Sequence, residues 1–163
     1  MEELDLLWKK KLLFSGVFVD ENRLHAILDR NLKGITSKQW LLLVVSSSFD
    51  TPPDLTTLGR VLGCSRQNIK KLALSLEKDG LLTLSPSTSD KRSLCVSLLD
   101  RGKAIIEESK AIEDKVYTAL FRDFSEDEIN QYYRLSEKFS KGLGYLEEYF
   151  ISLKNKEAIT GKD

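Results

Sequence analysis

The sequence predicts a mainly α-helical protein with one small β-hairpin, and three observations support this fold class. Apolar residues recur at helical spacing over most of the chain. Capping boxes at Thr36-x-x-Gln39 and Ser125-x-x-Glu128 mark the first residues of two helices. Residues 81–98 contain two short apolar runs with strand-like alternation around a polar turn. We therefore expect helices on both sides of a single hairpin.

The N-terminal part is predicted to contain two helices. Residues 3–32 carry apolar side chains at helix-like intervals, with an expected interruption near Ser15-Gly16. The Thr36 capping box begins the second helix, which passes through Trp40 and is expected to end before Pro52-Pro53.

Residues 58–72 predict two further helices joined by a tight turn. Helices that cross steeply over such a turn need a small residue where their backbones touch and a residue that tolerates positive φ. Gly59 and Gly63 are suited to these two roles. The residues expected on the inward faces of the two helices are Leu58, Leu62, Cys64, Ile69 and Leu72.

The second helix of this pair is predicted to present a basic outer face. Ser65 is a suitable N-cap, which would leave the first helical turn free to approach phosphates and base edges. The outward residues are Ser65, Arg66, Gln67, Lys70 and Lys71. Gln67 and Asn68 are suited to distinguishing bases, because an amide side chain can form two hydrogen bonds with adenine. The alternative is an ordinary helical hairpin with a solvated basic face.

The hairpin is predicted from apolar runs at 81–85 and 94–98 with a polar, basic connection. Such a wing could place Arg92 in a minor groove and Lys91 near phosphates, while Asp90 would orient a neighbouring arginine. A solvated loop is the alternative. Helix, turn, helix and hairpin in this order are typical of a winged helix-turn-helix.

The C-terminal part is predicted to contain two long helices, over 101–121 and from the Ser125 capping box through Tyr149. The terminal helices carry more apolar surface than a small winged domain can cover, so we expect a homodimer interface, with an internal core as the alternative. The expected organisation is one domain, 1–163, in which the winged region is 36–103. Helical dimerisation regions would occupy 1–35 and 104–152, and the tail 154–163 would be frayed.

Composition is consistent with one folded core and an uneven charge. The 163 residues have no net charge, but residues 56–103 contain 9 basic and 4 acidic side chains. We expect no membrane span and no signal peptide, hence a cytoplasmic protein. Two cysteines make neither a disulfide framework nor a metal site. The motifs of an enzyme active site are missing, and no cofactor is expected. A winged-helix adaptor that binds an acidic protein partner is the alternative function.

The stretch LTTLGRVLGCSRQNIKKLALSLEKDGLLTLSPSTSDKRSLCVSLLDRG, residues 55–102, resembles the MarR family of bacterial transcription regulators. Its most specific parts are LGCSRQ, LEKDGL and the wing's DKR followed by an apolar strand. The resemblance implies an obligate homodimer that binds a pseudo-palindromic operator on double-stranded DNA, usually as a repressor. Members usually carry arginine before the wing proline, where this chain has Leu84 and Ser85, so fewer phosphate contacts are expected.

The resemblance also implies release from DNA by a small ligand or by cysteine oxidation. The ligand region would include Trp40 and Lys38, although Trp40 also suits a core position. Oxidation of Cys64 would disturb the turn before the recognition helix, whereas structural roles for Cys64 and Cys95 are the alternative. The only histidine, His25, is expected at the surface or in an interface rather than at a metal.

Overall fold

In a computed structural model, the described residues, 5–87 and 92–160, form six helices and one two-stranded sheet. Side chains are described up to residue 156. The helices are α1 (Leu6–Asn31), α2 (Ser37–Ser47), α3 (Leu55–Val61), α4 (Arg66–Lys78), α5 (Asp100–Leu120) and α6 (Glu126–Thr160), and the strands are β1 (Leu82–Pro86) and β2 (Leu94–Leu98). The predicted fold class, mainly α with a small hairpin wing, is confirmed.

The chain divides into two compact units, Met1–Ile112 and Glu113–Asp163. The first unit contains α1 to α4, the hairpin and the first half of α5. The boundary between the two units lies inside α5.

Helix α1 is continuous, so the interruption expected near Ser15-Gly16 is wrong. The Ser15 hydroxyl donates a hydrogen bond to the Lys11 carbonyl oxygen at 2.9 Å. The hydroxyl is therefore bonded to the backbone of its own helix, and the helix continues past it. A glycine inside a helix costs only about 1 kcal/mol relative to alanine. One such position therefore does not break a helix of 26 residues.

The core of the first unit joins α2, α3, α4 and both strands. Its fully buried side chains are Leu42, Leu43, Leu55, Leu58, Ile69, Leu76, Leu81, Leu82 and Val96. Burial of each such side chain contributes about 1.5–3 kcal/mol to stability. Because every one of these elements supplies part of one core, the helix-turn-helix and the hairpin form a single packed body.

The hairpin is antiparallel, with a register that runs from Leu82 opposite Leu98 to Pro86 opposite Leu94. Strand β2 has neighbours on both sides, because the Val96 N–H donates to the Pro53 carbonyl oxygen at 2.9 Å. The hairpin base is also close to α5, where a Cβ on Gly102 would lie 2.1 Å from the Leu81 carbonyl oxygen. Glycine at this position therefore lets α5 begin against the hairpin.

The second unit contains the end of α5 and the long helix α6. The predicted capping box is present: the Glu128 N–H donates to the Ser125 hydroxyl at 3.3 Å, and the Ser125 N–H donates to the Glu128 carboxylate at 2.8 Å. The hydrogen bonds that the Ser125 N–H and the Ser125 hydroxyl donate to its carboxylate lower the pKa of Glu128. Residues 154–160, expected as part of a frayed tail, continue α6. Within the part of the chain that the structure describes, the helices are too short or too polar to cross a membrane.

Candidate DNA-binding surface

Two glycines shape the turn between α3 and α4, as predicted, and for different reasons. A Cβ on Gly59 would lie 2.7 Å from the Cys64 carbonyl oxygen, closer than real Cβ atoms approach. The Cys64 N–H donates to the Gly59 carbonyl oxygen at 2.8 Å, which holds the two segments together. Gly63 has φ +63°, in the left-handed region that favours glycine. The start of α4 is therefore set by backbone contacts with α3.

Cys64 does not face the core, which corrects the sequence prediction. Its side chain is exposed, whereas the predicted inward residues Leu58 and Ile69 are fully buried. Leu62 and Leu72 are partly buried and pack against the same core. In this turn the backbone of Cys64 contacts α3, while the residue as a whole is exposed.

Ser65 caps α4, as predicted, by accepting a hydrogen bond from the Asn68 N–H at 3.2 Å. Its backbone is extended, with φ −65° and ψ 147°, which is the usual N-cap conformation. The first residues of α4 are exposed. The positive end of the helix dipole is therefore accessible to an anion such as a DNA phosphate.

Helix α4 has one buried face and an opposite exposed face. Ile69, Ala73 and Leu76 are buried and follow the i, i+4, i+7 pattern of one helical face. Gln67 and Lys71 lie roughly 160° away from Ile69 around the helix, at about 100° per residue. Leu74 shares their face and is 47% exposed. An amide, an ammonium and an apolar side chain therefore occur along three successive turns of one exposed surface.

The predicted contact residues lie on two elements, and two of them are outside the described residues. Ser65, Arg66, Gln67, Asn68, Lys70 and Lys71 are all exposed on α4 or at its N-cap. Arg92 is exposed at the start of the second arm of the hairpin. The Arg66 guanidinium donates to the Arg92 carbonyl oxygen at 3.3 Å, which brings the helix and the hairpin together. Asp90 and Lys91 fall in the part of the hairpin connection that the structure does not describe.

One residue that the sequence analysis did not select also joins the helix to the hairpin. The Glu77 carboxylate accepts a hydrogen bond from the Leu84 N–H at 2.7 Å. Glu77 is in the LEKDGL motif, so its position was noticed, but no local pattern assigns it to a strand seven residues later. The backbone N–H groups on the open edge of β1 need hydrogen-bond acceptors, and this requirement could have pointed to Glu77.

The region expected to bind a ligand contains a cavity, but the two predicted residues do not line it. Trp40 is half-buried against the core, and its indole N–H donates to the Ser109 hydroxyl at 2.9 Å. Lys38 is exposed. Beside Ser109 is a cavity of about 210 Å³, lined by Leu32, Lys33, Ile35, Ile105, Glu108, Ser109 and Ile112. Trp40 is therefore hydrogen-bonded to a residue of the cavity wall, although it does not line the cavity itself.

His25 takes part in a polar contact between α1 and α2. Its Nδ1 lies 2.7 Å from the Ser37 hydroxyl oxygen, and the Ser37 N–H donates to the Asp29 carboxylate at 2.5 Å. The hydrogen bonds from Ser37 lower the pKa of Asp29, and the charges of His25 and Lys38 add to this effect. Within residues 5–87 and 92–160, no group of three or more histidine, cysteine or acidic side chains could hold a metal ion. The arrangement fits a structural role at the start of α2.

Several solved structures similar to this chain are MarR-family regulators, although no family model matches the sequence. A MarR/EmrR family transcriptional regulator from Acinetobacter sp. ADP1 superposes with a TM-score of 0.76 at 18% sequence identity, covering 83% of this chain and 97% of that chain. The S. aureus MepR-DNA complex gives 0.70 at 20% identity, with 82% and 97% covered. PcaV from Streptomyces coelicolor, in complex with its natural ligand, gives 0.70 at 20% identity, with 86% and 98% covered. The chain therefore has the winged helix-turn-helix fold of the MarR-family transcriptional regulators, as its sequence motifs predicted.

Proposed function

We propose that this protein is a homodimeric transcription regulator that binds a specific double-stranded DNA operator and acts as a repressor. The observation that carries the proposal is the exposed face of α4, on which Gln67, Lys71 and Leu74 lie opposite a fully packed face. A rigid helix with polar, basic and apolar groups on its free side fits a major groove. Such a regulator would act in the cytoplasm with the chromosome. The S. aureus MepR-DNA complex, which has the same fold, supports this proposal.

Each residue of this surface has a distinct proposed role. Gln67 and Asn68 would bind base edges, and Leu74 would contact a thymine methyl group. Arg66, Lys70, Lys71 and Arg92 would bind phosphates or enter the flanking minor groove, together with Lys91 and Asp90 on the wing. Ser65 would present the first backbone amides of α4 to a phosphate.

The proposed dimer rests on apolar surface that each unit leaves exposed. In the first unit, Leu6, Trp8 and Phe14 of α1 are all more than half exposed. In the second unit, Tyr132, Tyr149 and Phe150 of α6 are also more than half exposed. Surfaces of this kind usually mark an interface. Two copies related by a twofold axis would read half-sites about one helical turn apart, roughly 34–36 Å.

A salt-titrated binding assay tests the proposal. The purified protein is titrated onto DNA that flanks its own gene, with random DNA of equal length as competitor. We expect tight binding that survives the competitor and weakens steeply with salt. DNA binding that does not depend on salt would favour the adaptor instead. So would binding to an acidic protein partner with which operator DNA does not compete.

Two variants separate base reading from phosphate binding. Gln67→Ala should lose about 1–3 kcal/mol on the operator and much less on random DNA, because only base contacts carry sequence information. Lys71→Ala should weaken binding to both DNAs alike and reduce the salt slope by about 0.9 per contact. Lys141→Ala, which removes the same charge from an exposed site on α6, is the matched control and should leave the slope unchanged. Equal losses on operator and random DNA for Gln67→Ala would contradict its role.

We also propose that a small ligand releases the protein from DNA through the region of Trp40, Lys38 and the cavity beside Ser109. The cavity is lined mainly by apolar side chains, together with one cation, Lys33, and one acid, Glu108. The apolar part suits an aromatic ring, and Lys33 could bind the carboxylate of a small aromatic anion. PcaV, with the same fold, is described in complex with its natural ligand. Salicylate is a suitable probe. It should weaken operator binding by the wild type and much less by Ile105→Trp, which would fill the cavity.

Release by oxidation is a second proposed signal, and the exposure of Cys64 favours it. Peroxide would convert the Cys64 thiol to a sulfenic acid and be reduced to water. The added oxygen would make the side chain larger and more polar in the turn that sets the start of α4. Operator affinity should fall after peroxide treatment in the wild type and remain constant in Cys64→Ser. Unchanged affinity in the wild type would remove this role.

A further inference from the structure

We propose that Glu77 is a positioning residue for DNA recognition, which holds the wing on the recognition helix so that the two read adjacent grooves together. The inference deepens the DNA-binding function proposed above and rests on it. It is carried by the hydrogen bond between the Glu77 carboxylate and the Leu84 N–H.

The hydrogen-bond pattern of the hairpin shows why β1 needs an outside partner. The Ser87 N–H donates to the Ser93 carbonyl at 2.8 Å, and the Leu99 N–H donates to the Leu81 carbonyl at 3.1 Å. In an antiparallel pair the hydrogen-bonded positions alternate along the strand. The N–H groups of the even-numbered β1 residues therefore point away from β2, toward the open edge of the sheet.

The open edge of β1 has few donors, and Glu77 accepts from one of them. Pro86 has no N–H to offer at this edge. Leu84 lies in the middle of β1 and is half-buried, so an unpaired N–H there would be costly. A carboxylate at 2.7 Å forms a charge-assisted hydrogen bond, which is stronger than one between neutral groups.

Glu77 also contributes to the turn that connects α4 to β1. Its carbonyl oxygen accepts from the Gly80 N–H at 2.9 Å, and Gly80 has φ +69°. The Leu81 N–H donates to the Leu76 carbonyl at 2.9 Å. The backbone of Glu77 therefore helps to form the turn, while its side chain reaches over the turn to the strand that follows.

A second contact joins the other end of α4 to the wing. The Arg66 guanidinium donates to the Arg92 carbonyl at 3.3 Å. Positions 66 and 77 are separated by roughly 16 Å along a helix, at about 1.5 Å per residue. The wing is thus connected to the recognition helix near both of its ends. The Arg66 contact is exposed and the Glu77 contact is partly buried, so Glu77 should be the stronger of the two.

Two substitutions separate the effect of the carboxylate's position on the wing from the effect of its charge. Glu77→Asp keeps the charge but is one methylene shorter, so it should not reach Leu84. Glu77→Gln loses the charge but keeps an acceptor oxygen at the same distance. Glu137→Ala, at an exposed site on α6, removes an acid outside the winged region and is the matched control.

Operator affinity and footprints are measured for each variant. Glu77→Asp should weaken operator binding about tenfold, as loss of one hydrogen bond to a charged group would predict. Protection of the flanking minor groove from hydroxyl radicals should be lost, and protection of major-groove guanines from methylation should remain. Glu77→Gln should restore the minor-groove footprint, and Glu137→Ala should match the wild type. If Glu77→Asp retains the full footprint and an affinity within about twofold of the wild type, Glu77 does not position the wing.

Amide exchange tests the attachment without DNA. In Glu77→Asp, the Leu84 amide should exchange about tenfold or more faster than in the wild type, while the Val96 amide, bonded to Pro53, should not change. Equal exchange at Leu84 in both proteins would overturn the attachment. If the wild type fails to bind DNA but Leu84 exchange still depends on Glu77, the wing attachment is supported and the proposed function is the part that fails.

Discussion

Replacement of Gly59 by alanine tests how closely α3 and α4 approach. The new Cβ would lie 2.7 Å from the Cys64 carbonyl oxygen, and ordinary contact begins at 3.4 Å. It would also lie 3.7 Å from the Ile69 side chain. The nearest atom belongs to the backbone, so no side-chain rotation can relieve the overlap. The start of α4 must move away from α3.

The expected loss of stability follows from two opposing effects. Overpacking of a well-packed contact costs about 1–3 kcal/mol. Alanine is favoured over glycine inside a helix by about 0.5–1 kcal/mol. The free energy of unfolding of Gly59→Ala should therefore fall by at most about 2.5 kcal/mol, and by a value near this upper end because a backbone atom opposes the new Cβ. Because the displaced segment carries Arg66 and Gln67, we also expect operator affinity to fall more than tenfold.

Urea denaturation at fixed protein concentration measures the stability, and the slope of the unfolding transition should not change. Thr56→Ala, an exposed substitution on α3, is the control. Gly63→Ala is a second comparison, because no atom lies within 4 Å of the Cβ that alanine would add there, and only the positive φ opposes it. It should lose about 1 kcal/mol and keep its DNA affinity when folded. If Gly59→Ala is as stable as Thr56→Ala, the close approach of the two helices is wrong.

Three further substitutions test other contacts. Asp54→Ala should lose about 1 kcal/mol at neutral pH, because Asp54 caps α3. The Thr57 N–H holds the pKa of Asp54 below its usual range, so this stability is present above the unfolded-state pKa and lost as pH falls through the folded-state pKa. Urea unfolding at pH 7 and pH 3 should show the difference from the wild type shrinking. Trp40→Phe should cost about 1 kcal/mol in thermal unfolding by removing the hydrogen bond to Ser109, and an unchanged stability would contradict this contribution. Leu76→Ala should cost about 2–5 kcal/mol, and a loss near zero would contradict its burial.

The features that the sequence predicted well are those that the local backbone determines. Each of these features needs a particular residue type at one position. They are the positive φ at Gly63, the close approach at Gly59 and the caps at Thr36, Ser65 and Ser125. Such requirements leave a pattern in a short stretch of chain. The helix-turn-helix and the hairpin could therefore be placed before any tertiary contact was known.

Two features that the sequence did not predict depend on how neighbouring elements pack against one another. The exposure of Cys64 follows from the path of the turn over Gly59, which the apolar pattern does not describe. The bond from Glu77 to Leu84 depends on which edge of β1 is open. The continuity of α1 through Ser15-Gly16 is a different case, because a single glycine inside a long helix has only a small energetic cost.

The departures of this chain from the MarR pattern near the wing also have a structural explanation. Leu84 occupies a position where the family usually carries arginine, and its side chain is partly buried against the core. An apolar residue there adds packing at the base of the wing but no cation near DNA. Its backbone N–H is bound by an acid of the recognition helix. The base of this wing therefore supports the recognition helix, and the proposed DNA contacts of the hairpin are confined to its tip, near Arg92. If the protein binds DNA as proposed, we therefore expect sequence reading to depend mainly on the face of α4 that carries Gln67 and Leu74.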